Sequence, residues 1–152
     1  MRKFNNLLLV MFIFLVSCNY KPILSSTDNS FSINKIEFLK TNKINSKFKK
    51  QLSIYQKNKN TSDFYDLIID VNKNKTVSLR DTAGDPKIFI ITIAVSIDVS
   101  KNNNSIGNKI FTEDFSYNNQ KNKFDLNRYE KTIENNIIDK LAERIISYLH
   151  SV

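Results

Sequence analysis

The sequence predicts an α+β fold. It reads as a two-layer sandwich in which a mainly antiparallel four-stranded sheet carries two helices on one face, in the order β-α-β-β-β-α. Three observations predict it. Residues 87–100 alternate without a miss, with Phe89, Ile91, Ile93, Val95, Ile97 and Val99 on one side, which is the period-two pattern of a strand with a buried face. Tyr129, Ile133, Ile137, Leu141, Ile145 and Leu149 recur at steps of four, widened by Ile138, Ala142 and Ile146, which is the apolar stripe of a long helix. Three strand-like segments follow one another with only turn residues between them, and such neighbours pair antiparallel.

The chain opens with a different kind of segment. Arg2 and Lys3 precede an unbroken apolar run, Leu7 to Val16. A membrane span needs about 20 such residues, so the run fits the core of a signal peptide instead. It ends in Leu15-Val16-Ser17-Cys18, the lipobox pattern of an aliphatic, a medium and a small residue before cysteine. The thiol of Cys18 accepts the diacylglycerol, and the small Ser17 admits the peptidase. Residues 1–17 are therefore expected to be cleaved and Cys18 to become a lipid-modified N-terminus, anchored by acyl chains worth about 0.8 kcal/mol per buried CH₂. Asn19, where Asp would favour inner-membrane retention in enteric-type bacteria, points to the outer membrane. Residues 18–30 read as a tether, because Pro22 and Ser25-Ser26-Thr27-Asp28 resist regular structure.

Residues 31–152 read as one domain. The first strand covers 31–40. After a break at 42–45, Ile44, Phe48, Leu52 and Tyr55 mark one stripe of a short helix, with Lys47, Lys49 and Lys50 beside or opposite it. The second strand covers 63–80, with Tyr65, Leu67, Ile69 and Val71 on one face and Asp66 and Asp70 on the other; Lys73-Asn74-Lys75 is expected to bend it. Residues 81–86 (DTAGDP) form a turn. The third strand, 87–100, has a partly apolar second face at Ile88, Ile90 and Ala94, which suggests a covering partner. Residues 101–108 are expected to be a hairpin loop containing Gly107. The fourth strand covers 109–118, with Phe111, Phe115 and Tyr117 on one face. Asp125 is the expected N-cap of the last helix. The sheet face away from the helices is left for solvent or a partner.

The chemistry-bearing residues are few. Cys18 is the single cysteine, which excludes an intramolecular disulfide, a cysteine metal cluster and a catalytic thiol. The single histidine, His150, stands at the end of the chain. Asp66 with Asp70, and Glu113 with Asp114, are the carboxylate pairs to weigh, and the first reads as solvated surface on one sheet face. No metal-ligand spacing and no phosphate-cradling glycine loop is present. A binding or assembly role is expected rather than an enzyme, with no catalytic residue, no metal and no cofactor. The formal charge is +8, and losing Arg2 and Lys3 with the signal leaves +6. A basic exported protein suggests an anionic partner such as lipopolysaccharide (LPS), peptidoglycan or acidic lipid; no nucleic acid is expected.

The segment Cys18-Asn19-Tyr20-Lys21-Pro22-Ile23 resembles the Cys-Gly-aromatic-x-Pro-aliphatic opening of the LPS-assembly lipoproteins, the LptE family, in its alphaproteobacterial form. The strand Ile88–Val99, the Gly107 turn, Phe115-Ser116-Tyr117-Asn118 and the helix ending Asp139-Lys140-Leu141-Ala142-Glu143-Arg144-Ile145 resemble that family's layout in order and spacing. Asn19 departs from the usual glycine. The resemblance implies a two-layer fold, a non-catalytic role as the plug of the outer-membrane barrel LptD, and support for LPS transport and insertion into the outer leaflet. Basic groups would then meet lipid A phosphates. Lys73, Lys75, Arg80 and Lys87, around the expected bend and the turn between strands two and three, are the candidates. The alternative is a periplasmic adaptor lipoprotein that binds peptidoglycan or another envelope complex.

Overall fold

The computed structural model describes residues 30–57 and 61–152. The expected signal peptide, Cys18 and the expected tether up to residue 29 lie outside the described residues. The elements are β1 (Phe31–Phe38), α1 (Lys43–Leu52) with a 3-10 turn (Ser53–Lys57), β2 (Asp63–Arg80), β3 (Pro86–Lys101), β4 (Asn104–Asn118) and α2 (Lys123–Leu149). The order is β-α-β-β-β-α, as the sequence predicts. The strands lie side by side in chain order. β2 pairs antiparallel with β3, and β3 with β4, while β1 pairs parallel with β2. The sheet is therefore mixed. The parallel pair follows from α1, whose crossover returns the chain to the end of the sheet where β1 began.

The core lies between sheet and helices. Leu67, Ile69 and Val71 of β2, Ile91 to Val99 at alternate positions of β3, and Phe111 and Tyr117 of β4 are buried. They meet Ile44, Phe48 and Leu52 of α1 and Ile133, Ile137, Leu141 and Ile145 of α2. Complete burial of one Ile or Leu side chain contributes roughly 1.5–3 kcal/mol. Ser32, the buried polar residue of β1, gives its hydroxyl to the Tyr55 carbonyl at 3.0 Å and so ties the 3-10 turn to β1.

Four local expectations are corrected. β2 runs unbroken through Lys73-Asn74-Lys75, because each of these pairs in register with β3; the ladder slips later, between Val77 and Leu79 and again at Arg80. The β3–β4 hairpin turns on two residues, Asn102 and Asn103, both at positive φ (52° and 65°). That is the geometry of a two-residue type I′ turn, which asparagine tolerates. Gly107 consequently sits inside β4, opposite Val99, where a Cβ would collide with the Tyr148 hydroxyl of α2. Finally, α2 is capped by Asn122 and not by Asp125: the Asn122 side chain accepts from the amides of Phe124 and Asp125. Asp125 lies in the first turn, where its carboxylate complements the helix dipole.

Candidate functional site

The four cations nominated by the sequence fall into two groups. Strand parity turns Lys73 and Lys75 toward the helices. Lys73 Nζ meets Glu134 Oε2 at 2.5 Å and Lys75 Nζ meets Glu130 Oε1 at 2.5 Å. Lys75 also lies over the Phe89 ring, 4.2 Å from its centroid. Arg80 belongs to the hairpin tip, where its guanidinium donates to the Gly84 carbonyl at 2.8 Å, and Lys87 is exposed just beyond the turn. Seven strand steps of about 3.3 Å separate Lys73 from Arg80. The expected single cluster is thus a tip pair, Arg80 and Lys87, and a pair built into the layer interface. The continuity of β2 is the reason, since no bend brings them together.

The interface pair has a counterpart on the other side of β3. Glu113 of β4 takes Lys140 Nζ and Arg144 Nη1 of α2, both at 2.6 Å. Ion pairs thus reach α2 from the strands on both sides of β3. Lys47 of α1 joins the set by donating to Glu134 Oε1 at 2.7 Å and to Asn135 Oδ1 at 2.8 Å. Burial pushes the Glu134 and Glu130 carboxyls up, but the ammonium groups outweigh it and hold both below their usual range. For Glu113 the hydrogen bond from Lys140 is the leading cause of the same downward shift. The Tyr117 hydroxyl donates to Glu130 Oε1 at 2.7 Å.

Between the start of α1, the middle of β2 and the first half of α2 opens a cleft of about 920 Å³, lined by Lys43, Lys47, Lys73, Glu130, Lys131 and Glu134. Of the sequence candidates, only Lys73 lies in it. Lys43 and Lys47 of α1 and Lys131 of α2 escape sequence reasoning because only the packing of both helices on β2 brings them to Lys73. The one local signal is that α1 carries lysines and no acidic residue in its first turn.

The sheet face away from the helices is uncovered. Phe64, Ile68, Leu79 and Ile110 are exposed there (44%, 37%, 47% and 66%), beside half-buried Ile88, Ile90 and Ala94. The carboxylates weighed as pairs are separated or engaged. Asp66 accepts from Asn34 and Asp70 from Lys40 and Asn72, while Glu113 and Asp114 point to opposite faces of β4. His150 is exposed, yet its ring stands edge-on to Phe31 and its Nδ1 is 3.2 Å from the Ser30 hydroxyl. Among the described residues no group of three His, Cys, Asp or Glu side chains is placed to hold a metal ion.

No protein-family model matches the chain, and no curated protein matches it by sequence. Solved structures do match its fold. A minor lipoprotein from Acinetobacter baumannii superposes with a TM-score of 0.59 at 18% identity, over 81% of this chain and 92% of that one. The rare lipoprotein B from Shewanella oneidensis gives 0.58 at 11% identity, over 78% and 95%. Lipoprotein B from Nitrosomonas europaea gives 0.56 at 13% identity, over 76% and 80%. At these identities the likeness is one of fold: the chain has the two-layer α+β fold found in bacterial lipoproteins.

Proposed function

We propose that the chain is an outer-membrane lipoprotein that assembles with and plugs an LptD-type barrel, supporting LPS transport and its insertion into the outer leaflet. The observation that carries this reading is a coincidence of two independent features. A lipobox ends at Cys18, and the folded part shares its architecture with bacterial lipoproteins over most of its length. The lipid anchor holds the body at the membrane. The role is binding and assembly, with no chemical step.

The body suits a plug. Its layers are cross-tied by Glu113, Glu130 and Glu134. One whole sheet face is free of its own helices and mixes exposed Phe64, Ile68 and Ile110 with Asp66, Asp98 and Asp114. Such a surface fits the mixed polar and apolar contacts of a protein-lined lumen. Arg80 and Lys87 at the hairpin tip remain available to phosphate oxygens of LPS.

Depletion of the chain in its own cell tests the reading. The expected result is LPS lost from the outer leaflet and poor maturation of the barrel. Normal LPS placement with a fully matured barrel would move the adaptor role, binding peptidoglycan or another envelope complex, into first place.

A further inference from the structure

The two edges of the sheet differ. β1 has 8 residues, its ladder slips between Ile33 and Lys35, and Lys35 and Glu37 set charges along it. Shortness, a bulge and charge are devices that blunt an edge. β4 has 15 residues and no proline, and it pairs with β3 in unbroken register from Gly107 to Asn118. Among the described residues no strand pairs with its outer side. The Asn119 amide donates inward to the Lys87 carbonyl at 2.8 Å, and inward and outward residues alternate along an antiparallel edge strand. The odd-numbered residues from Gly107 on therefore bond to β3, and Asn108, Ile110, Thr112, Asp114 and Ser116 turn their amides and carbonyls outward. Arg144 of α2 agrees with this alternation: its guanidinium reaches the outward Thr112 carbonyl at 3.1 Å, an acceptor whose second lone pair stays open.

We propose that two copies of the chain join antiparallel along this edge, about a two-fold axis at Phe111, so that one sheet runs through both. Side-chain chemistry fixes the register. About Phe111, Lys109 lies opposite Glu113 of the second copy on the helix side, an opposite-charge cross-strand pair. Lys109 is exposed and enters none of the ion pairs among the described residues. On the free face Asn108 lies opposite Asp114 of the second copy; its side-chain amide gives one proton to Asp98 and has another to give. Phe115, 43% exposed, lies opposite Gly107 of the second copy, over which Tyr148 stands, so ring meets ring. The two-fold axis makes each contact twice. Moving the axis by one residue sets Lys109 against Phe111 or Phe115. Moving it by two sets Lys109 against Lys109, or Glu113 against Glu113. The pairing stands independently of any barrel and is tested without one.

Sedimentation equilibrium of the full chain in detergent measures the dimer, and pulsed electron resonance on spin-labelled Ser116→Cys measures its register. Cys18, carrying its expected lipid, offers the label no thiol. In the proposed register the two Ser116 positions are ten strand steps apart, about 33 Å at about 3.3 Å per step, and each one-residue shift of the axis changes that by about 7 Å. A concentration-dependent dimer with the distance of about 33 Å is expected. Lys109→Glu sets like charges opposite each other twice and should weaken the dimer at least about tenfold, with Lys109→Gln between it and the native chain. Thr112→Pro removes an outward amide at a position where an edge strand tolerates proline, and should abolish pairing. Lys35→Glu, on the β1 edge, should change the dimer less than about twofold. The Lys109 variants keep the test decisive if Thr112→Pro fails to fold. A chain that stays monomeric at every concentration, a dimer whose Ser116 distance departs from about 33 Å, or a dimer that Lys109→Glu leaves unchanged would overturn the proposal.

Discussion

Glu134 illustrates how single side chains join the layers. Its carboxylate accepts from Lys47 of α1 and Lys73 of β2, so one residue of α2 binds the other helix and the sheet. Glu130, Glu134 and Glu113 all titrate below the ordinary glutamate value of 4.5. A carboxyl whose folded pKa is depressed stabilises the fold fully above its unfolded value, and that contribution is lost as pH falls through the folded pKa. Urea midpoints should therefore hold from neutral pH down to about pH 5 and fall steadily below about 4.5. Glu134→Gln should cost about 1 kcal/mol at pH 7 and flatten the acid limb. A midpoint that does not respond to acid would show that the pairs contribute nothing. Gly107 is a second such position. A methyl group there collides with the Tyr148 hydroxyl, so Gly107→Ala should lower stability by about 1 kcal/mol. Adding Tyr148→Phe, which removes the colliding atom, should recover most of that loss, and a double-mutant cycle measures the coupling.

At the scale of elements, the legible parts were those whose side-chain period is set by one continuous surface. β3 lies between two strands and under helices, so every second residue is buried and the alternation from Phe89 to Val99 reads directly. β2 was legible in its limits, 63–80, but not in its straightness, because pairing of Lys73 and Lys75 with β3 is a tertiary fact. The step-of-four stripe of α2 drifts by about 40° per step, and Tyr129, at its far end, is 40% exposed. It lies edge-on to Tyr117 instead, 6.0 Å between centroids. The cap at Asn122 was hidden because the first turn places exposed Phe124 before the stripe begins. Gly107 looked like a loop residue because composition does not distinguish a glycine that turns the chain from one that admits a neighbour. Leu141, wholly buried at the centre of α2, should dominate the element: Leu141→Ala is expected to cost about 2–5 kcal/mol, read as a drop in melting temperature.

At the scale of the molecule, the sandwich spends one sheet face on its own helices and leaves the other free. The free face was anticipated from Ile88, Ile90 and Ala94, whose apolar character exceeds what a solvated strand needs. The candidate anion contacts were less legible. A lysine run on one strand reads as a patch, whereas parity sends Lys73 and Lys75 to α2 and leaves Arg80 and Lys87 at the tip. The cleft with Lys43 and Lys131 exists only once three elements meet. Charge, open face and lipobox are brought together by one claim, that this body is held by its lipid within a barrel. Affinity capture of the tagged chain from detergent-solubilised outer membranes, followed by mass spectrometry, tests that claim most directly. The account predicts recovery of a large LptD-type barrel in stoichiometric amount. A clean preparation of the tagged chain without any such barrel would contradict it.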